Sequence, residues 1–162
     1  MFFLYQILIL ILLILSPIII IYRILKKKED TKRFKEKFCI PSKKREAGNL
    51  IWFHGSSVGE LLSVITLIHQ LEKNQHINQI LITSSTLSSA EIFKNYKFKK
   101  VIHQFFPIDF FLYSYKFLNY WQPTITIFIE SEIWPSIFGA LNKKKIPLII
   151  LNARITKKTF KK

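Results

Sequence analysis

The sequence predicts an α/β fold, a parallel sheet covered on both faces and preceded by one transmembrane helix. Two features of the chain point there. Phe2–Leu25 is almost unbroken apolar sequence, and from residue 49 onward short β-branched and aromatic runs alternate with stretches at helical spacing. Gly, Ser, Thr, Asn and Pro collect between those runs, as turns and caps require.

Within the first segment, Gln6, Ser16 and Arg23 are the polar exceptions. The roughly 21 residues before Arg23 form a helix of about 30 Å, the thickness of a bilayer's hydrocarbon core. Pro17 is expected to kink it. A cleaved signal peptide is the rival, but a basic leading region and an A-x-A-like site are both lacking. Residues 1–25 therefore read as a membrane anchor.

Lys26, Lys27 and Lys28 follow at once, and Lys32, Arg33, Lys35 and Lys37 continue the basic run. Cations on that side place the amino terminus outside and the remainder in the cytoplasm. Residues 26–48 read as a basic juxtamembrane segment, helical up to Phe38 and broken by Pro41. Such a segment is either a solvated linker or a collar drawn to anionic headgroups, at about 1 kcal/mol per basic residue.

The formal charge of +15 admits nucleic acid or an anionic membrane as partner. Abundant Lys, Ile, Phe and Asn also fit the coding bias of an AT-rich genome, which alone would raise the charge. One cysteine, Cys39, excludes an internal disulfide framework and agrees with a reducing compartment.

The alternation after Gly48 is expected to run as follows: strand 50–53, helix 60–73, strand 80–83, helix 89–96, strand 101–105, helix 110–120 and strand 124–129. A helix opened by Glu130, Ser131 and Glu132 then leads to strand 146–151, with Pro135 in its first turn, where proline costs no helical hydrogen bond. G-x-G-x-x-G, a Walker loop and zinc-type Cys/His spacing are all lacking, so nicotinamide, nucleoside-triphosphate and zinc chemistry are unsupported.

The first strand runs straight into His54-Gly55-Ser56-Ser57-Val58-Gly59-Glu60. This places His54, Ser56, Ser57 and Glu60 at a strand's carboxyl end beside a helix start, where open α/β sheets collect ligands. Gly55 and Gly59 are read as sites of close approach. Three readings compete. Ser57-Val58-Gly59-Glu60 fits a capping box. Gly55 to Gly59 also matches G-x-S-x-G, but Asp109 follows all four histidines, so the acid-then-histidine order of that hydrolase class cannot be completed. In the third, Glu60 is a general base for a substrate hydroxyl, though a helix N-terminus lowers its pKa and so its basicity.

The other strand ends share a chemistry. The second supplies Thr83, Ser84, Ser85 and Thr86, the fourth Glu130 and Glu132, and the fifth Asn152 and Arg154. Hydroxyls, carboxylates, an amide and an arginine on one edge suit a sugar-like or phosphorylated ligand, and equally populate turns and caps. Trp134 reads as packing.

FHGSSVGE, the TSST segment, the PID segment, IESEIWP and LNARITKKTF occur in that order behind an anchor. Together they resemble the amino-terminal half of the 3-deoxy-D-manno-octulosonic acid (Kdo) transferase family. The resemblance implies a GT-B fold of two Rossmann-like domains, with residues 49–162 as the acceptor-side one and the donor domain missing. It implies transfer of Kdo from CMP-Kdo to a lipid A precursor (lipid IVA) in lipopolysaccharide biosynthesis, at the cytoplasmic face of the bacterial inner membrane, with no cofactor, metal or nucleic acid. It makes Glu60 the general base and Glu130 a support for the transition state. Ser56, Ser57, Gly59, Thr83, Ser84, Glu132, Asn152 and Arg154 become the expected substrate contacts. The likeness has departures: Thr86-Leu87-Ser88-Ser89 lacks the proline and glycine of the family's turn, Ser131 replaces a threonine, and Gly55-Ser56 replaces bulkier residues. Without a donor side the chain alone is expected to be inactive. The alternative is a membrane-tethered module that binds a glycolipid without turning it over.

Overall fold

A computed structural model describes residues 2–130 and 132–152. Its core is a five-stranded sheet of β1 (Leu50–His54), β2 (Gln79–Ser84), β3 (Val101–Phe105), β4 (Ile125–Ile129) and β5 (Leu148–Leu151). Every pairing is parallel and the spatial order is β3-β2-β1-β4-β5, the Rossmann-type order.

Side-chain alternation along β1 divides the core into two layers. Leu50 and Trp52 face α5 (Phe111–Trp121) and α6 (Pro135–Lys143), packing on Phe117, Trp121 and Ile137. Ile51 and Phe53 face the other way, onto Leu61, Val64 and Ile68 of the segment carrying α2 (Val58–Ser63) and α3 (Ile65–Glu72). Both faces are therefore covered, which is why all five residues of β1 are buried. β2 is buried throughout for the same reason.

Several boundaries differ from expectation. The helix expected over 60–73 is two helices, interrupted at Val64, whose φ of −109° and ψ of 2° are not helical. Ser63 Oγ donates to the Glu60 carbonyl at 2.6 Å, a local bond that competes with the helical ladder. α4 (Leu87–Ile92) starts earlier than expected because Thr86 caps it, accepting from the Ser89 N–H at 3.2 Å. α6 begins at Pro135 rather than at Glu130, whose φ of 65° is left-handed.

Residues 26–48 contain only a short 3-10 turn at Phe34–Phe38. The stretch is strapped to the sheet by its few acids. Buried Glu36 accepts from Arg33 Nε at 2.8 Å, from Ser42 Oγ, and from the Phe105 N–H of β3 at 2.7 Å. Glu29 accepts from Arg23 and Lys37 at 2.9 and 2.6 Å.

α1 (Phe2–Leu25) is the one described helix long and apolar enough to cross a membrane. Its half-buried positions, Ile9, Leu13, Ile20 and Ile24 among them, recur at helical spacing on one stripe, and so do its polar residues. Tyr5 Oη donates to Asp109 Oδ2 at 2.7 Å, and Gln6 Nε2 to Ser136 Oγ at 2.7 Å. Most of its other large side chains, from Phe3 to Leu25, are exposed.

Candidate functional site

β1 and β4 are neighbours, yet the chain leaves β1 toward β2 and leaves β4 toward β5. Their carboxyl ends thus form the topological switch point of the sheet, where a crevice is left for ligands. The loop after β1 carries Gly55, Ser56 and Ser57, and the loop after β4 carries Glu130, Glu132 and Trp134.

Glu60 reaches back from α2 into the first loop. Its Oε2 accepts from the Ser56 N–H at 2.8 Å and its Oε1 from Ser57 Oγ at 2.6 Å. Ser57 Oγ in turn accepts from the Glu60 N–H at 3.3 Å. The serine half of the capping box is therefore formed, while the half-exposed Glu60 carboxylate accepts from the N–H one residue before the cap and from the Ser57 hydroxyl. A Cβ on Gly55 would come within 2.9 Å of Leu61 Cδ2 and 3.3 Å of Glu60 Cβ, so that glycine is needed for the loop to close on α2. Gly59 is different: a Cβ there meets nothing within 4 Å, and the space before it is open.

Glu132 approaches the same serine from the other loop. Ser56 Oγ donates to Glu132 Oε2, which also accepts from Trp134 Nε1 at 3.1 Å. His54, at the end of β1, places Nε2 at 3.6 Å from that oxygen. Burial pushes the His54 pKa down, since a charge there would lose its water; Glu132 opposes this only in part. The contacts of Glu132 with His54 first, then Ser56 and Trp134, hold its carboxyl below the usual range against partial burial.

The other expected residues fall into two groups. Thr83 and Ser84 are fully buried, their hydroxyls engaged with Trp52 and His54 and with His103 respectively. Both side chains, expected as substrate contacts, brace the floor of the crevice in this structure. Glu130 is half-buried, and its N–H donates to the Leu151 carbonyl at 2.7 Å; Asn152 is exposed with a φ of 57°. Arg154 lies outside the described residues. His54 and Ser85, placed at strand ends by the sequence but given no specific role there, join the site together with Trp134, which was read as packing. Ser85 Oγ lies 3.5 Å from Ser56 Oγ. The strand-end position of His54 was the one signal that could have found it.

A cleft of about 320 Å³ opens beside this edge, between α1 and the sheet. Ser85, Phe106 and Trp134 line one side, Ile9 and Arg23 of α1 the other, with Lys37 at the margin.

Fold and site together define a Rossmann-type α/β domain whose switch point is lined by carboxylates and serines in place of a glycine-rich phosphate loop. Residues 32–162 match the family described as 3-Deoxy-D-manno-octulosonic-acid transferase (kdotransferase), and the chain belongs to that family. A protein of Rickettsia bellii named 3-deoxy-D-manno-octulosonic acid transferase is 40% identical over 145 residues, 88% of this chain and 34% of its own length. The probable mitochondrial enzyme of that name in Arabidopsis thaliana is 39% identical over 150 residues, 91% of this chain and 34% of its own. In Haemophilus influenzae the like-named protein is 32% identical over 106 residues, 65% of this chain and 25% of its own. The chain thus spans about a third of the length of the first two relatives.

Proposed function

We propose that this chain is the acceptor-side domain of a Kdo transferase of lipopolysaccharide biosynthesis, held at the cytoplasmic face of the bacterial inner membrane by residues 1–25 and by the basic segment 26–48. The donor is CMP-Kdo and the acceptor a lipid A precursor, lipid IVA. In this reading a hydroxyl of the acceptor gives its proton to Glu60, and its oxygen forms a bond to the anomeric carbon of Kdo. The bond from that carbon to the phosphate oxygen of CMP breaks, and CMP leaves with the electron pair. Glu130 supports the charge that develops on the sugar. CMP-Kdo binding is assigned to the part of the longer relatives that this chain does not match, or to a second polypeptide.

The observation that carries this reading is the orientation of Glu60. Two short donors fix a half-exposed carboxylate at the switch point, where an acceptor hydroxyl can reach it. Lys37 and the basic segment around it, beside this edge, suit a lipid-linked anion. Tethering confines enzyme and acceptor to one surface and so raises their effective concentration.

The non-catalytic module is favoured by one specific feature, the capping role of that same carboxylate. The test combines the purified chain with the separately expressed remainder of the Rickettsia bellii relative, CMP-Kdo and lipid IVA. The enzyme reading expects Kdo transfer that Glu60→Gln abolishes while lipid IVA binding persists. Binding without transfer at any ratio of the two parts supports the module, and failure to bind lipid IVA overturns both.

A further inference from the structure

His54 is almost fully buried, and its Nε2 has no hydrogen-bond partner among the described residues. The ring is clamped between aromatic side chains, 3.9 Å from the Phe106 centroid and 4.8 Å from that of Phe128. It cannot turn away to find water. Its position is set by strand alternation, which puts it on the same face of β1 as Trp52.

The opposite nitrogen decides what Nε2 presents. His54 Nδ1 lies 2.9 Å from Thr83 Oγ1, which accepts from Trp52 Nε1 at 2.9 Å. Thr83 has a single hydroxyl proton. It can go to Nδ1, or to the Phe53 carbonyl at 3.3 Å. In the first case the imidazole carries its proton on Nε2 and aims it at Glu132 Oε2. In the second, Nδ1 carries the proton and a bare Nε2 lone pair faces a carboxylate, a repulsive contact in a dry pocket. The hydrogen-bond network therefore assigns the Nε2–H form.

We infer that His54 is a positioning residue for Glu132: a neutral Nε2–H donor, fixed in that tautomer by Thr83, that orients the second carboxylate of the site and keeps it ionised. The relay runs from Trp52 through Thr83 and His54 to Glu132, with Ser56 and Trp134 donating to the same oxygen. The 3.6 Å separation is longer than a hydrogen bond, as unliganded sites often are, and a small movement of the half-exposed glutamate closes it. A neutral donor suits this place, because a cation there would lose its hydration, whereas an N–H costs little to bury once paired. The inference rests on the acceptor-site reading only for its consequence, since a fixed Glu132 is an anion held beside Glu60. The geometry itself is independent of that reading.

The experiment uses the full chain in detergent micelles with ¹⁵N-labelled histidine, His54 being assigned by its loss in His54→Gln. At neutral pH the ring nitrogens of His54 are expected to show a protonated Nε2 and a bare Nδ1, and Thr83→Ser, which keeps the hydroxyl, to preserve that pattern. A protonated Nδ1 overturns the inference. Carboxyl titration of Glu132 by ¹³C NMR supplies the second readout. His54→Gln, whose amide reaches the Nε2 position, is expected to leave the Glu132 midpoint low, and His54→Asn, which reaches only Nδ1, to raise it. Equal midpoints in the two variants overturn the positioning role. Neither readout needs acceptor or donor, so failure of the transferase reading and failure of this inference are separate results.

Discussion

The carboxylates of Glu60 and Glu132 are joined through one serine. Ser56 gives its backbone N–H to Glu60 Oε2 at 2.8 Å and its hydroxyl to Glu132 Oε2. Two loops that leave neighbouring strands in opposite directions are thereby locked at the switch point, and each carboxylate's orientation depends on the other's anchor.

Ser56→Ala separates the two links, since it keeps the N–H and removes the hydroxyl. A hydrogen bond to a charged group contributes about 1.5–3 kcal/mol, and partial exposure of Glu132 places this one at the lower end. We expect the reconstituted transfer rate to fall on the order of tenfold. Circular dichroism should be unchanged and the melting temperature should fall by only several degrees, and a rate within twofold of the parent would show that the link does not serve the chemistry.

The two glycines of the loop should behave in opposite ways. A Cβ at Gly55 would overlap Leu61 and crowd Ile129 Cδ1 at 3.1 Å, so Gly55→Ala should destabilise by roughly 1–3 kcal/mol and lower the melting temperature. Gly59→Ala meets no neighbour, has no positive φ to strain, and lies within α2. It should fold as well as the parent or better, by up to about 1 kcal/mol. A loss of lipid IVA binding in a well-folded Gly59→Ala would then report ligand approach over that position.

Stability should fall in mild acid because of His54. Its folded pKa is depressed by burial, so the unfolded chain takes up the proton first, from about pH 6.5 downward. Its contribution to stability is complete above that pH and is lost as pH falls toward the lowered folded value. Glu132 and, more distantly, Glu60 are the charged groups that act on it, and both weaken the depression without cancelling it. Urea midpoints measured between pH 7.5 and 5 should decline for the parent, and more shallowly for His54→Gln. Parallel slopes would mean that another group titrates.

How much of this could be read from the chain follows from contact range. β1, β2 and β4 were legible because apolar side chains on both faces leave runs with few polar interruptions, such as Leu50 to Phe53 and Ile125 to Ile129. The cap at Ser57 and Glu60 was legible because its partners are three residues apart. The start of α6 was not. Its first free N–H groups, on Ser136 and Ile137, are satisfied by the carboxylate of Asp109 at 3.0 and 2.9 Å, so the cap is supplied by a residue 27 positions away. The strap formed by Glu36 on β3, and the meeting of His54 with Glu132, are long-range in the same way. Exposure was also invisible at strand ends: Thr83 and Ser84 carry the residue types of a sugar site and are spent on the floor beneath it.

α1 sets two structural demands against each other. Docked on the domain, α1 gives Asp109 a bond from Tyr5 and gives Ser136 one from Gln6, while Gln6 Oε1 accepts from the Phe111 N–H at 3.2 Å. A helix that crosses a bilayer with its amino terminus outside cannot keep these contacts, because Tyr5 and Arg23 are about 27 Å apart along its axis. Three hydrogen bonds contribute about 1 kcal/mol each. Each large apolar side chain moved from water into lipid returns about 1.5–3 kcal/mol, and the outer face of α1 carries many of them. Asp109 also keeps its two α6 donors after release and is not left orphaned. Burial in lipid therefore outweighs docking, and in membranes α1 should let go of the domain and span. Cys39 is buried and its thiol is pushed up to about 12, so a Phe3→Cys variant offers a single reactive thiol. In intact cells that thiol should react with a membrane-impermeant maleimide added from the periplasmic side. Protection of residue 3, together with disulfide cross-linking of a Gln6→Cys/Ser136→Cys pair in the membrane, would show instead that the helix stays docked and lies along the surface.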